Sequence, residues 1–134
     1  LRNQLPMPIA AGEDLYTVYG FAPMFACRGC DYVMPDILRC GGIRQARLIC
    51  EDAGRAGVVA TPHNFASGVG LAATLHLMAA MPETKLLEYD TSGTSIYEEL
   101  FIEPLAVQDG RVRVPTTPGL GVALTDEIIA RYRL

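Results

Sequence analysis

Short apolar runs alternate along this chain with longer, helix-like stretches, and each run ends near one ionisable residue. The runs lie at residues 7–11, 32–34, 58–60 and 86–87. The ionisable residues are Glu13, Asp36, His63 and Glu88, and they are 23, 27 and 25 positions apart. This spacing matches one strand plus one helix of a parallel α/β barrel, in which the groups that carry chemistry stand at the carboxyl ends of the strands. The pattern therefore predicts that these four side chains face one mouth.

Three helices are predicted between and after the strands. They cover residues 15–26, 43–53 and 67–81. The first contains Pro23, which is expected to break or kink it. The second repeats apolar residues every three to four positions and should end at Gly54 or Gly57. The third is apolar almost all round, as in a helix wedged between a sheet and other helices, and Pro82 should stop it.

Two of the predicted strands end at a proline. Pro35 precedes Asp36, and Pro62 precedes His63. Proline lacks the N–H that a β-ladder needs, and it keeps the residue before it extended. The same device is therefore expected to present both ionisable side chains at strand ends. A further short strand is predicted at residues 85–89, carrying the last of the four.

The pattern changes beyond residue 90. Two short strands at residues 105–107 and 112–114 flank Asp109-Gly110, which indicates a β-hairpin. Thr125 is expected to cap a final short helix. The chain is thereby divided into a barrel part and a carboxyl-terminal extension, at residues 1–90 and 91–134.

Composition indicates a folded globular chain. Half of the 134 residues are hydrophobic and 19% are charged, which is enough apolar content for one core and too little charge for a disordered chain. Eleven basic residues stand against fifteen acidic ones without a Lys/Arg stripe, so no nucleic-acid partner is expected. The longest strongly apolar stretch, residues 68–81, is shorter than the ~20 residues of a membrane span, so no membrane partner is expected.

The four cysteines include a Cys-x-x-Cys pair, Cys27 and Cys30, which is compatible with a zinc site. The other two, Cys40 and Cys50, are far apart rather than a second close pair, so structural zinc is the weaker interpretation. A disulfide framework is disfavoured at this chain length and core size. Reduced thiols and a cytoplasmic location are therefore expected.

Five segments occur in order along the chain and carry a family resemblance. They are Met7-Pro8-Ile9-Ala10-Ala11-Gly12-Glu13, Pro35-Asp36 followed by Gly41-Gly42-Ile43, Pro62-His63-Asn64, Leu87-Glu88-Tyr89, and residues 115–124. Together they resemble the last third of the enolase superfamily, in the mandelate racemase subgroup of its mandelate racemase / muconate lactonizing enzyme family. The fold that this resemblance implies is a partial TIM-type (β/α) barrel.

The resemblance also implies a role for each of the four ionisable residues. Glu13 resembles the third carboxylate ligand of the family's Mg²⁺ ion. Asp36 and His63 resemble its Asp-His dyad, and Glu88 resembles the acid that hydrogen-bonds the substrate. The predicted catalytic residues are therefore His63, Asp36 and Glu88, and the predicted metal ligand is Glu13.

The implied chemistry suits these residue types. Removal of a proton from the carbon beside a carboxylate gives an enediolate, whose charge must be met by a hard cation and a hydrogen-bond donor. A neutral imidazole can accept that proton while a carboxylate orients it and stabilises the cation formed, which makes His63 the base and Asp36 its partner. Glu88 has to be protonated to donate, and burial in an apolar site would keep it so. The enolase superfamily is itself an established case of a Lys or His base working with Mg²⁺.

Each of these residues also has an ordinary interpretation when it is taken alone. Glu13 could be an acid favoured by a helix dipole, and Asp36 a turn residue. His63 could be a loop histidine, and Glu88 a solvated acid at a strand end. Their joint order along the chain is what favours a shared site.

The resemblance implies that a complete family member has further parts that are not found in this sequence. These are an amino-terminal capping domain, the first five strand–helix units, a lysine-bearing motif and two earlier acidic metal ligands. We therefore expect a carboxyl-terminal fragment of an α/β protein, namely the last three strand–helix units of the barrel plus a segment with a hairpin. Alone it should be inactive, and its open sheet should favour self-association or pairing with the missing amino-terminal part.

The expected enzyme depends on Mg²⁺ and acts on a small-molecule carboxylate, either a hydroxy acid or a sugar acid. Dehydration is favoured because the subgroup is rich in acid-sugar dehydratases, and racemisation or epimerisation is the close variant. The alternative is a non-catalytic barrel remnant that acts as a structural or self-associating module through its exposed edge and apolar faces. A small zinc-binding module is a third, weaker alternative.

Overall fold

Strands and helices alternate through the first part of the chain, and a hairpin and two short helices follow. The computed structural model describes residues 2–65, 67–93 and 95–133. After a short 3-10 helix at Arg2–Gln4, the first elements are β1 Ala10–Ala11, α1 Thr17–Ala26, β2 Tyr32–Val33, α2 Ile43–Ala56, β3 Val59–Ala60 and α3 Gly68–Ala80. The later elements are α4 Ser95–Glu99, β4 Val107–Gln108, β5 Arg111–Val112 and α5 Asp126–Tyr132.

The first three strands form a parallel sheet in the order β1-β2-β3. Ala10 lies opposite Tyr32, and Tyr32 lies opposite Val59, so the strands are in register at their centres. Parallel neighbours joined by helices are the repeating unit of a (β/α) barrel. The predicted α/β architecture with parallel strands is confirmed.

The fourth predicted strand, at residues 85–89, is wrong as a strand. In the described part of the chain it is reduced to one parallel bridge, between Ala60 and Thr84. The Ala60 N–H donates to the Glu83 carbonyl and the Lys85 N–H donates to the Ala60 carbonyl, each at 3.2 Å. Lys and Glu are depleted in strands. The described part of the segment also has β3 as its one neighbour, so little holds it in a longer ladder.

The helices begin and end close to their predicted positions. α2 continues through Gly54 and ends at Ala56, and its C-cap is Gly57, whose φ of 68° is the left-handed conformation that glycine adopts without a Cβ penalty. α3 begins after Ser67, whose side chain accepts a hydrogen bond from the Gly70 N–H at 3.1 Å. α1 starts at Thr17, two residues later than predicted, and Pro23 lies inside it without ending it.

Helix α3 lies between two apolar clusters. The first cluster joins the sheet to the helices and includes Val33 of β2, Ile49 of α2 and Leu77 of α3. The second packs Leu71 of α3 against Tyr97 of α4 and other side chains of the carboxyl-terminal segment. This double packing explains why α3 is apolar almost all round.

The hairpin is confirmed, with shorter strands than predicted. β4 and β5 pair antiparallel, and both turn residues, Asp109 and Gly110, have positive φ values of 51° and 69°. Two left-handed residues in a two-residue loop form the type I′ turn that suits the strand twist. The cap of α5 is confirmed as well, since the Thr125 side chain accepts a hydrogen bond from the Ile128 N–H at 3.3 Å.

Helix α4 is not predicted from the sequence. It places Tyr97 in the second cluster, so side chains from both sides of residue 90 pack together. The division into two parts at that residue stays a prediction. Among the described residues, no helix has the length and apolar character needed to cross a membrane.

We expect the free energy of unfolding to fall as the pH rises above about 9, because two buried thiols resist ionisation in the folded chain. Burial raises the pKa of Cys50 from 9.0 to about 12 and that of Cys40 to about 11. Between the unfolded and folded pKa values the folded chain holds more protons, so each such thiol lowers stability by about 1.4 kcal/mol per pH unit. Urea unfolding between pH 9 and 11 measures this slope.

The matched comparison is Cys50→Ala against Cys27→Ala. Cys50 is fully buried and Cys27 is exposed, so the first substitution should reduce the slope and the second should leave it unchanged. Equal slopes in both variants would show that the buried thiol does not govern alkaline stability.

Candidate active site

Two backbone hydrogen bonds hold the loops that follow β2 and β3 side by side. The Thr61 N–H donates to the Val33 carbonyl at 2.9 Å, and the His63 N–H donates to the Pro35 carbonyl at 3.2 Å. Pro35 and Pro62 are both fully buried. Each proline stops the ladder, and the residue after it is carried at the carboxyl end of its strand. Asp36 and His63 are therefore brought to the same end of the sheet, as predicted.

The dyad is formed by a hydrogen bond between the His63 Nδ1 and the Asp36 Oδ2, which are 3.0 Å apart. The Asp36 side chain is 3% exposed, and its other oxygen accepts a hydrogen bond from the Leu38 N–H at 2.8 Å. A carboxylate can only accept, so this contact places the imidazole proton on Nδ1. In the neutral imidazole, the Nε2 of His63 is then the lone-pair acceptor.

Arg39 supplies a positive charge beside the buried carboxylate. Its Nε lies 3.5 Å from the Asp36 Oδ2, and its Nη1 donates to the Asp14 Oδ1 at 2.6 Å. A buried charge is costly unless it is paired, and Arg39 is the positively charged partner of this carboxylate. The same guanidinium joins the Asp36 loop to the loop after β1.

The free nitrogen of His63 lies between two further carboxylates. Its Nε2 is 3.8 Å from the Glu13 Oε2 and 3.8 Å from the Glu88 Oε2. Both distances exceed a direct hydrogen bond, so neither carboxylate is hydrogen-bonded to this nitrogen. The structure thus brings all four predicted residues together around one imidazole, while their catalytic roles stay predictions.

Glu13 is turned into the site by the glycine before it. Gly12 has a φ of 122°, and a Cβ at this position would lie 3.0 Å from the Phe21 Cε1. The ring of Phe21 is fully buried, so the loop after β1 rests directly on the core. The Glu13 side chain itself is 53% exposed.

Glu88 is held by the residue after the predicted base. Its Oε2 accepts a hydrogen bond from the Asn64 N–H at 2.9 Å. The Glu88 side chain is 39% exposed, so the described residues do not give it the apolar burial that was expected to keep it protonated. The carboxylate acts here as an acceptor.

The described residues do not complete a metal site. Within residues 2–65, 67–93 and 95–133, no group of three or more His, Cys, Asp or Glu is arranged to hold a metal ion. Mg²⁺ requires octahedral coordination by several hard oxygen ligands and waters. Glu13 alone can supply only part of such a set, so the donors among the described residues do not fit a whole Mg²⁺ site.

Three residues of the site are not indicated by the sequence pattern. They are Arg39, Asn64 and Tyr97. Arg39 lies three positions after Asp36, which is the one local signal that could have identified it as an ion-pair partner. The buried contact between Asn64 and Tyr97 joins residues 33 positions apart and has no local signal.

Comparison with known proteins gives consistent similarities along nearly the whole chain. The family model described as "Enolase C-terminal domain-like" matches residues 1–128. D-galactarolactone cycloisomerase of Agrobacterium fabrum is 31% identical over 100% of this chain and 38% of that protein. D-xylonate dehydratase of Haloferax volcanii is 33% identical over 87% of this chain and 28% of that protein.

A solved structure shows the same fold. A mandelate racemase/muconate lactonizing enzyme-like protein of Rubrobacter xylanophilus superposes with a TM-score of 0.88 at 33% identity, over 99% of this chain and 34% of that one. This chain therefore spans about a third of the length of the relatives it matches.

Proposed function

Because this chain belongs to the enolase C-terminal domain-like family, we propose that it carries the histidine base of an enzyme that removes the proton beside a substrate carboxylate. The observation that carries the proposal is the orientation of His63. Its Nδ1 is bonded to the buried Asp36, and its Nε2 faces the gap between Glu13 and Glu88. A base needs its free nitrogen aimed at the place where the substrate carbon binds.

In the proposed reaction, the proton moves from the carbon beside the carboxylate to the Nε2 of His63. The imidazolium formed is stabilised by Asp36, whose charge is in turn balanced by Arg39. In a dehydration, the hydroxyl on the next carbon leaves and takes up the proton that the His63 imidazolium holds, so the imidazole is regenerated and the products are water and an enol that becomes a keto acid. In a racemisation, a proton is instead delivered to the opposite face of the same carbon by a second acid, which would come from outside the described residues.

The proposed substrate is a hydroxy acid or a sugar acid, and dehydration is the favoured reaction. The support is the set of relatives named as dehydratases of D-xylonate, arabinonate and D-galactonate. The relatives named as cycloisomerases make isomerisation the second proposed reaction. Proton removal beside a carboxylate is the step that we propose for both.

Mg²⁺ is the cofactor that we propose for the complete enzyme, in which it would neutralise charge on the substrate carboxylate. Glu13 is the ligand proposed from this chain. The remaining ligands would come from outside the described residues, so we expect the chain alone to be inactive.

The proposed activity can be tested in a chimera in which this chain replaces the matching segment of the Agrobacterium fabrum cycloisomerase. The folded chimera, checked by circular dichroism, is incubated with Mg²⁺ and sugar acids such as D-xylonate and D-galactonate in deuterated water. We expect deuterium to enter the carbon beside the carboxylate of at least one substrate, as measured by NMR. A folded chimera that exchanges none of these protons, beside an active parent enzyme, would overturn the proposal.

We also propose that the open edge of the sheet pairs with the missing part of the barrel or with a second copy of this chain. Among the described strands, β1 is bonded to β2 alone. The carbonyls of Ile9 and Ala11 accept from β2, so the backbone groups of Ala10 between them point to the unpaired side. An unpaired edge is a template for another strand.

We expect the chain to self-associate as its concentration rises, since none of the described strands other than β2 pairs with β1. Sedimentation velocity across a hundredfold concentration range measures the effect. Ala10→Pro removes the outward N–H and leaves the bonds to β2 in place, so it should shift the population towards the monomer. A wild-type chain that stays monomeric throughout would contradict the proposed use of this edge.

A further inference from the structure

A buried tyrosine from the carboxyl-terminal segment connects the two loops that carry His63 and Glu88. The Tyr97 hydroxyl accepts a hydrogen bond from the Asn64 Nδ2. Asn64 directly follows His63, and its backbone N–H donates to the Glu88 Oε2. The tyrosine is therefore linked through one residue to both the base and the predicted acid.

The position of Tyr97 is firmly determined by its surroundings. Its side chain is 4% exposed and packs in the second apolar cluster. A Cβ on Gly68 would collide with the Tyr97 carbonyl, so the backbones of α3 and α4 are in direct contact. The ring of Tyr89 packs edge-to-face against Tyr97 with centroids 6.5 Å apart. The tyrosine is thus anchored independently of its hydroxyl.

Asn64 transmits this anchoring to the site. Its side chain is held by Tyr97, while its backbone N–H is the donor to the Glu88 Oε2. Asn64 is 3% exposed, and a buried amide has few alternative partners, so its orientation depends on the bonds that it makes here. If the side chain is released, the N–H that positions Glu88 is expected to lose its direction.

We infer that Tyr97 is a positioning residue, which fixes Glu88 against the Nε2 of His63 through Asn64. The inference rests on the proposed function and extends it. It says that α4, which contacts none of the reacting atoms, helps to position Glu88. Removal of the hydroxyl should therefore disturb the site while the ring packing and the fold remain.

The experiment compares Tyr97→Phe with Tyr89→Phe in this chain by NMR. The Tyr89 hydroxyl donates to Glu98 at the surface, so its variant loses a hydroxyl of the same aromatic pair away from the site. In Tyr97→Phe we expect the backbone amide proton of Asn64 to exchange with solvent at least about fivefold faster than in the wild type. We also expect the NMR chemical shifts of the His63 ring nitrogens to change. The backbone amide of Ile49 in α2 reports global unfolding, and its exchange rate should rise by a smaller factor than that of Asn64.

Three outcomes would overturn the inference. One is a Tyr97→Phe variant whose Asn64 amide and His63 resonances match those of the wild type. Another is equal acceleration of exchange at Asn64 and Ile49, which would mean a loss of global stability only. The third is an equal response in Tyr89→Phe.

A measurement on the wild type keeps the inference testable if Tyr97→Phe does not fold. Native-state hydrogen exchange in low urea should then give Asn64 the same opening free energy as the amides of α4. A clearly lower value at Asn64 would mean that α4 does not hold it. None of these measurements needs substrate, so a failure of the proposed enzyme activity would leave this test intact, and the reverse also holds.

Discussion

Substitution of His63 by asparagine is expected to lower the rate of proton exchange in the chimera between about a hundredfold and ten-thousandfold. Asparagine offers no nitrogen that can accept a proton near neutral pH, while the hydrogen bond to Asp36 can be kept through its side-chain amide. The loss should therefore appear in the exchange rate rather than in the fold. NMR of deuterium incorporation and circular dichroism measure the two separately.

The matched control is His76→Asn, which changes the other of the two histidines. His76 lies within α3, and its Nε2 has no hydrogen-bond partner among the described residues. Its substitution should leave exchange within a few-fold of the unmodified chimera. If His63→Asn exchanges as fast as His76→Asn, the base is another group.

Phe21→Ala is expected to lower the free energy of unfolding by about 3 to 5 kcal/mol. The ring of Phe21 is fully buried in the first apolar cluster and packs against the backbone at Gly12. Its removal leaves a cavity that the short strands cannot fill, and it also frees the loop that carries Glu13. Urea unfolding followed by circular dichroism gives the stability of both forms.

Phe65→Ala provides the comparison for the same chemical change at the surface. Phe65 is 64% exposed, so its loss should change the free energy of unfolding by no more than about 0.5 kcal/mol. Similar losses at both positions would mean that the core beneath β1 is not packed as described.

The elements with a local physical signature were predictable from the sequence. Gly57 ends α2 because a left-handed residue is needed there, and Asp109-Gly110 forms the hairpin turn for a related reason. The Asp36 and His63 loops were predictable because proline limits what may follow each strand. Local rules were therefore sufficient for these particular elements and for bringing Asp36 and His63 to the same end of the sheet.

The remaining features depend on contacts between distant segments. Helix α4 has five residues, which is too few for a periodic pattern, and it is stabilised by its packing on α3. The strand predicted at residues 85–89 did not form because its pairing depends on neighbours, not on its own apolar residues. The link from Tyr97 through Asn64 to Glu88 likewise exists only once the chain has folded.

The two backbone hydrogen bonds between the loops after β2 and β3 do not involve the side chains at positions 36 and 63. Pro35 and Pro62 are buried beside them, so the placement of the two loops does not depend on the imidazole. Asp36 is also bonded to the Leu38 N–H, so position 63 is the one of the two that can be exchanged freely, and a saturation library there should yield many folded proteins with a new functional group in an unchanged place. A barrel whose loops are held by backbone contacts can acquire new reactions through point substitutions while its backbone stays in place.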